Sequence, residues 1–327
     1  MKVLVLGGTG IISGAVVAEL LQQGHHVSLL NRGNQPTPRG VTHISADYRD
    51  PPALAAALAP HRFDAAIDFL CFTPEHAAGV HAALAGRCGR YVFISSATVY
   101  RKPHDLPVTE HHPLGNSRSA YARRKQSCET WFLERGDSLP VTVVRPSHTF
   151  SERWIPSPLH GTDFTVAKRI LDGRPIIVHD HGQSLWALTA ADDFAVGLVG
   201  LLDLPQAVGE CYHITTDEVL TWNAIYTEIG RALGREAILV PIPTETLCQL
   251  DPAAEGKLAG DKAHHAVFDN RKIRTAVPAF TCRSQRTALQ RSVDWFLADP
   301  TRQTINPDVD ALIDRTIATW QSTKAQQ

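Results

Sequence analysis

The chain is 327 residues long, 43% hydrophobic and 20% charged, with a formal net charge of −1. That length holds one large domain or two unequal ones around a substantial core, and a charge so close to zero excludes a protein built mainly to neutralise nucleic-acid phosphates. No apolar run approaches the roughly 20 residues a membrane helix needs. Residues 1–30 are apolar, but Gly7, Gly8 and Gly10 interrupt them and Glu19 sits among them, so they read as folded structure and not as a leader. A cytoplasmic protein with no membrane or nucleic-acid partner is expected. The six cysteines lie at least 17 residues apart, which gives no CxxC pair and reads as reduced, mostly buried thiols. The paired histidines His25-His26, His111-His112 and His264-His265 point to different sides of any helix or strand, so no metal is expected.

In chain order, residues 2–6 form a short apolar run closed by glycines, which suits a strand buried on both faces. Residues 13–23 carry apolar side chains at helical spacing and stop at Gly24. Strands follow at 26–30, 41–45, 65–69, 91–95 and 141–144, with helices at 53–58 and 76–85. This alternation predicts an α/β fold with a doubly wound parallel sheet and right-handed crossovers. Beyond Pro146 the rhythm breaks into proline-punctuated stretches. A helix at 192–202, a strand at 210–215 able to return to the sheet, and an amphipathic helix at 222–233 follow. The expected division is a nucleotide-binding domain over 1–150 plus about 187–218, and a smaller, discontinuous C-terminal substrate domain over about 151–186 and 219–327.

The chemistry concentrates at three places. Gly7-Gly8-Thr9-Gly10-Ile11-Ile12-Ser13 joins the first strand to the first helix, where glycines let the backbone approach a pyrophosphate at a helix N-terminus. The second strand ends in Asn31-Arg32-Gly33. Neutral Asn31 lacks the carboxylate that grips an NAD ribose, and Arg32 suits a 2′-phosphate, so the cofactor is NAD or NADP with a lean to NADP. Asp47 stands just past the third strand, placed for the adenine amino group. Third, Ser95-Ser96-Ala97-Thr98-Val99-Tyr100 ends the fifth strand, and Tyr121 and Lys125 follow at i and i+4, on one helix face. A Lys cation and a nicotinium ring both favour the phenolate, so Tyr121 is expected to act as general base, with Ser96 sharing the substrate hydroxyl.

These residues resemble the extended short-chain dehydrogenase/reductase superfamily, the NAD(P)-dependent epimerase/dehydratase group, and within it a bacterial branch marked by Asn-Arg-Gly after the second strand. Arg145-Pro146-Ser147-His148-Thr149, Ser184-Leu185-Trp186, Asp192-Asp193-Phe194-Ala195 and Phe268-Asp269-Asn270 share in the likeness, which covers nearly the whole chain. The resemblance implies a Rossmann fold and a Ser96–Tyr121–Lys125 catalytic set. It implies cofactor contacts from Gly7, Thr9, Gly10, Ile11, Ile12, Asn31, Arg32, Asp47, Tyr48, Phe69, Leu70, Cys71, Ser95, Tyr121, Lys125, Pro146 and His148. The expected substrate contacts are Ser96, Ala97, Thr98, His148, His181 and Trp186. It further implies a nucleotide sugar or nucleoside-like alcohol as substrate, turned over through a transient ketone with the cofactor retained, and a homodimer. Net dehydrogenase or ketoreductase chemistry is the alternative, and a non-catalytic NAD(P)-sensing or RNA-binding role is a further one. Ala97-Thr98 stand where sugar 4,6-dehydratases carry Asp-Glu, so the acid/base pair for that dehydration is missing.

Overall fold

The computed structural model describes residues 1–136, 138–159 and 161–326. At its centre is a seven-stranded parallel sheet. In chain order its first six strands are β1 (Lys2–Leu6), β2 (His26–Asn31), β3 (Val41–Ser45), β4 (Ala65–Asp68), β5 (Tyr91–Ile94) and β6 (Val141–Arg145). Four short strands come next: β7 (His148–Phe150), β8 (Ile176–His179), β9 (Leu185–Trp186) and β10 (Leu188–Ala190). The chain then returns to the sheet as β11 (Cys211–His213), giving the order β11-β6-β5-β4-β1-β2-β3 with every pair parallel. Winding runs one way from β1 to β3 and the other way from β4 to β6. The crevice beyond the C-terminal ends of β1 and β4 is therefore the switch point where open α/β sheets bind ligands.

The continuous apolar run of β1 is explained by burial on both sides. Val3 and Val5 face one layer, where helices α1 (Ile11–Gln22) and α6 (Ala191–Gly200) pack together. Leu4 and Leu6 face the other layer, covered by α2 (Pro51–Leu58), α3 (Pro74–Leu84) and α4 (Ala120–Leu133). α2 and α3 begin two residues earlier than periodicity suggests. Pro51-Pro52 and Pro74 occupy first-turn positions, where a missing N–H costs nothing, and the side chains of Asp50 and Thr73 cap the helices by accepting from Ala53 and His76 N–H. The expected strand at 210–215 is confined to Cys211–His213 and lies beside β6.

A separate apolar cluster gathers Trp186, Trp222, Tyr226, Phe164 and Phe296 around α5 (Thr165–Leu171) and α7 (Trp222–Leu233). β8 pairs with β13 (Leu239–Ile242) and β9 with β12 (Leu220–Thr221), whereas β7 and β10 pair beside the main sheet. No helix among the described residues is long and apolar enough to cross a membrane. All six cysteines are free, with Cys71, Cys88 and Cys128 buried and Cys211, Cys248 and Cys282 half-buried. Among the described residues, no group of three or more His, Cys, Asp or Glu is placed to hold a metal ion.

One ion pair welds α4 to the sheet. Arg145, ending β6, donates from Nε and Nη2 to Glu129 on α4 at 3.0 and 2.6 Å, and from Nη1 to Tyr100 Oη at 2.9 Å. Both side chains are at most 4% exposed. Removing one member of such a pair strands a buried charge. Glu129→Ala is expected to cost about 3–5 kcal/mol of unfolding free energy in urea titrations; a loss below about 1 kcal/mol, typical of exposed pairs, would contradict this.

Candidate active site

The turn after β1 is built for close approach. Gly7 and Gly8 both have positive φ, +108° and +90°, and a Cβ on Gly8 would lie 2.7 Å from the Leu29 side chain. Gly10, in contrast, caps α1 with an ordinary φ of −83°. The left-handed backbone is therefore confined to Gly7 and Gly8, and Gly10 stands at the helix N-terminus. The turn opens onto a 580 Å³ cavity lined by Gly7, Thr9, Asn31, Arg32, Asp47, Tyr48 and Leu70. An unobstructed glycine turn at a helix N-terminus fits a dinucleotide pyrophosphate. Asn31 Oδ1 accepts from Gly33 N–H at 2.8 Å and bonds His43 Nε2 at 3.0 Å, so its side chain fixes the loop that presents Arg32. Arg49, unremarked in the sequence reading, lines the same cavity and donates to Asp47, holding that carboxyl below its usual range.

The loop after β4 is organised by a buried carboxyl. Asp68 Oδ1 accepts from the N–H groups of Leu70 and Cys71 at 2.7 and 3.0 Å, and Oδ2 accepts from the Tyr48 and Tyr91 hydroxyls at 2.5 Å each. Burial pushes its pKa up, and the Tyr48 and Tyr91 hydroxyls, the Leu70 N–H and Lys125 act against that. The Cys71 carbonyl so positioned accepts from Lys125 Nζ at 2.7 Å, and the Ile94 carbonyl accepts from the same ammonium at 2.8 Å. The Phe72 ring lies 4.2 Å from Nζ. Lys125 is 2% exposed, and burial lowers its pKa.

Tyr121, one turn before Lys125 on α4, is 39% exposed into a second cavity of 880 Å³ that also holds Ile12, Ser96, Ala97, Thr98, His148 and Trp186. Ser119 caps the helix by accepting from Ala122 N–H. Ser96 accepts from Thr98 N–H at 3.2 Å and donates to Thr98 Oγ1 at 3.0 Å. Burial pushes the Tyr121 phenol up to about 12, hydrogen bonding with Ser96 opposes the rise, and the Asp261 carboxylate reinforces it. The expected acidification by Lys125 together with a nicotinium ring concerns the cofactor-bound site, and in the protein alone the shift runs upward. The Lys125 ammonium gives two of its three donors to carbonyls.

His148 is 7% exposed, and burial drives its pKa down to about 3, so the imidazole is neutral. Its Nε2 and the Trp154 Nε1 are buried without a partner among the described residues. Trp186 Nε1 is committed to the carbonyls of Lys262 and His264. Ser95 is buried behind Ser96, the Pro146 carbonyl accepts from Ala97 N–H, and Ile11 opens α1. Phe69 N–H donates to the Leu6 carbonyl and continues the β1–β4 ladder. His181 is not brought in: it sits on an exposed turn, outside the residues lining the Tyr121 cavity. The wall also contains Lys102, Arg118, Trp154, Asp261 and Lys262, which sequence reasoning missed because no local pattern joins them.

Comparison with known proteins follows this geometry. The chain is 28% identical over 307 residues to "2'-dehydrokanamycin reductase" of Streptomyces kanamyceticus, covering 91% of this chain and 85% of that one. It is 24% identical over 248 residues to "Chloroplast stem-loop binding protein of 41 kDa b, chloroplastic" of Arabidopsis thaliana, spanning 71% of this chain and 63% of the relative. The fold is shared with the UDP-glucose 4-epimerase of Bifidobacterium longum solved with NAD+ and UDP, at a TM-score of 0.72, 17% identity and coverage of 93% and 100%. Residues 3–215, more than half of the chain, match the NAD dependent epimerase/dehydratase family, and the chain belongs to it.

Proposed function

We propose that this enzyme interconverts a ketone and a secondary alcohol on a sugar-like or nucleoside-like small molecule, with Tyr121 as the proton donor in the reducing direction. The observation that carries this reading is the Tyr121 side chain, presented with Ser96 and His148 to one cavity of 880 Å³, the size of a small-molecule site. Nicotinamide, when bound, supplies or takes the hydride. Tyr121 gives its proton to the developing alkoxide oxygen while Ser96 holds that oxygen by a hydrogen bond. Lys125 fixes the register of α4 through the carbonyls of Cys71 and Ile94. The reductase relative, which matches over 91% of this chain, supports reduction as the net direction. Epimerisation is the second reading: Tyr121 first accepts the hydroxyl proton, and a ketone free to turn in the 880 Å³ cavity is reduced on its other face with the cofactor retained. The lack of an excess of positive charge speaks against RNA as the ligand.

On this reading, residues 1–150 with about 187–218 hold the cofactor and the remaining segments cover the substrate. NADP is the preferred cofactor because Arg32 and Arg49 flank one cavity and Asp47 is already paired with Arg49.

Tyr121→Phe is expected to lower turnover by about 10²–10⁴-fold without unfolding the protein, and retention of more than a tenth of wild-type activity would remove Tyr121 from the mechanism. In the cofactor-free protein, NMR of ring-labelled tyrosine should find Tyr121 titrating near 12. Ser96→Ala should move it higher, and a wild-type value below about 10, the ordinary phenol value, would contradict the argument. In calorimetric titrations NADP should bind about tenfold to a hundredfold more tightly than NAD. That gap should close in Arg32→Ala, and tighter binding of NAD by the wild type would refute the phosphate assignment.

A further inference from the structure

The Tyr121 cavity contains charge that the proposed hydride exchange does not use. Lys102 Nζ lies 3.7 Å from Asp261 Oδ1, and Lys262 Nζ lies 2.6 Å from Asp261 Oδ2, so two ammoniums share one carboxylate. Their side chains are only 5%, 15% and 11% exposed for Lys102, Lys262 and Asp261. All three line the wall that carries Ser96, Tyr121 and His148. Lys262 Nζ also stands 4.0 Å over the Trp186 ring.

Counted formally, the trio has one positive charge in excess; burial lowers the Lys102 pKa, and a charge shielded from water is costly until an opposite one meets it. Lys102 also borders a neighbouring cavity whose lining carries Asp180, Glu245 and Glu255 beside Arg118 and His264. Glu255 shares the Tyr121 cavity wall with Arg118, Arg123 and Lys257, so that wall remains positive on balance. Among the described residues, no carboxylate other than Asp261 lies within 4.0 Å of either ammonium. Two further donors on the same wall are unclaimed. Trp154 Nε1 can only donate, and neutral His148 donates from Nε2 in one tautomer; both atoms are buried without a partner. Unmatched donors next to unmatched positive charge call for an oxygen-rich anion.

We propose, on the basis of the reading above, that the substrate carries an anionic group, a carboxylate or a phosphate ester, seated between Lys102 and Lys262 with Trp154 and His148 donating to its neighbouring oxygens. Asp261 holds the two ammoniums in place and excludes cationic sugars from the same spot. The site is separate from the pyrophosphate position at the Gly7-Gly8 turn, which opens on the other cavity.

The test uses the full chain saturated with NADP+ at constant ionic strength. D-glucuronate, D-glucose 6-phosphate, D-glucose and D-glucosamine are titrated in turn, and tryptophan fluorescence reports binding through Trp154 and Trp186 on the cavity wall. At least one anionic probe should bind about tenfold or more tightly than glucose, as expected of a charge-assisted contact, and glucosamine should bind most weakly. The better of the two anionic probes tells carboxylate from phosphate. Lys102→Met or Lys262→Met should abolish the preference and the matching Lys→Arg change should keep it; if a Met variant fails to fold, the wild-type ranking of probes decides. Equal affinity for all four sugars, no binding by either anion, or a preference surviving both Met changes would overturn the proposal. A protein that prefers the anions but never exchanges hydride would leave this site standing and contradict the reaction, and a redox-active protein blind to charge would do the reverse.

Discussion

Asp68 sits at the end of β4 with no exposure to solvent and accepts four hydrogen bonds, two from backbone N–H groups and two from tyrosine hydroxyls. The rest of the site hangs on that arrangement. The two N–H bonds curl the chain at Leu70 and Cys71, turning the Cys71 carbonyl toward α4. Lys125 meets that carbonyl and the one from Ile94, joining the ends of β4 and β5 through a single ammonium. With Lys125 pinned from one side and Glu129 held by Arg145 one turn further on, α4 has little freedom to slide or rotate. Tyr121 is thereby presented to Ser96 at a fixed height above the sheet. A carboxyl that touches neither cavity wall itself thus sets the position of the group expected to move the proton.

The electrostatics follow from the same geometry. An ammonium with two of its three donors on carbonyls stabilises a phenolate less than one aimed at the phenol, and burial with Asp261 nearby favours the neutral form. A protonated phenol is the right reagent for delivering a proton to a carbonyl oxygen. An added positive charge, such as an oxidised nicotinamide ring brings, would favour the phenolate and so a role as base. Leu70 and Phe72 line the cavity beside Arg32 and Tyr48, while the Phe72 ring stands 6.3 Å from that of Tyr121, so the loop after β4 reaches from one cavity toward the other.

Much of this was legible in the sequence because it is local. A strand buried on both faces leaves an unbroken apolar run, as in β1, and a Tyr–Lys pair four apart on a helix is visible without coordinates. Helix starts were misjudged where Pro51-Pro52 and Pro74 occupied first turns capped by Asp50 and Thr73. Gly8 went undervalued because its need for a bare Cα comes from Leu29, on the next strand. Asp68 gave no signal, since Tyr48 and Tyr91 reach it from other strands and loops. Lys102, Asp261 and Lys262 are brought together by the return of the C-terminal segment over the sheet, a contact across some 160 residues of sequence that no motif encodes. His181 is expected at the site from its position in a family pattern, whereas its exposed turn, whose carbonyl accepts from Asn223 Nδ2, lies outside the lining of the cavity.

The central claim is that hydride is exchanged at one carbon of the substrate and the proton at the oxygen on that carbon, next to Tyr121. It is tested most directly by supplying the full-length enzyme with NADPH deuterated at the transferable position and a panel of keto-sugars, then locating the label by mass spectrometry and NMR. The account predicts one deuterium per product molecule, bound to the new carbinol carbon and to no other. Product formed without deuterium at that carbon, or no product from any keto-sugar with cofactor demonstrably bound, would contradict it.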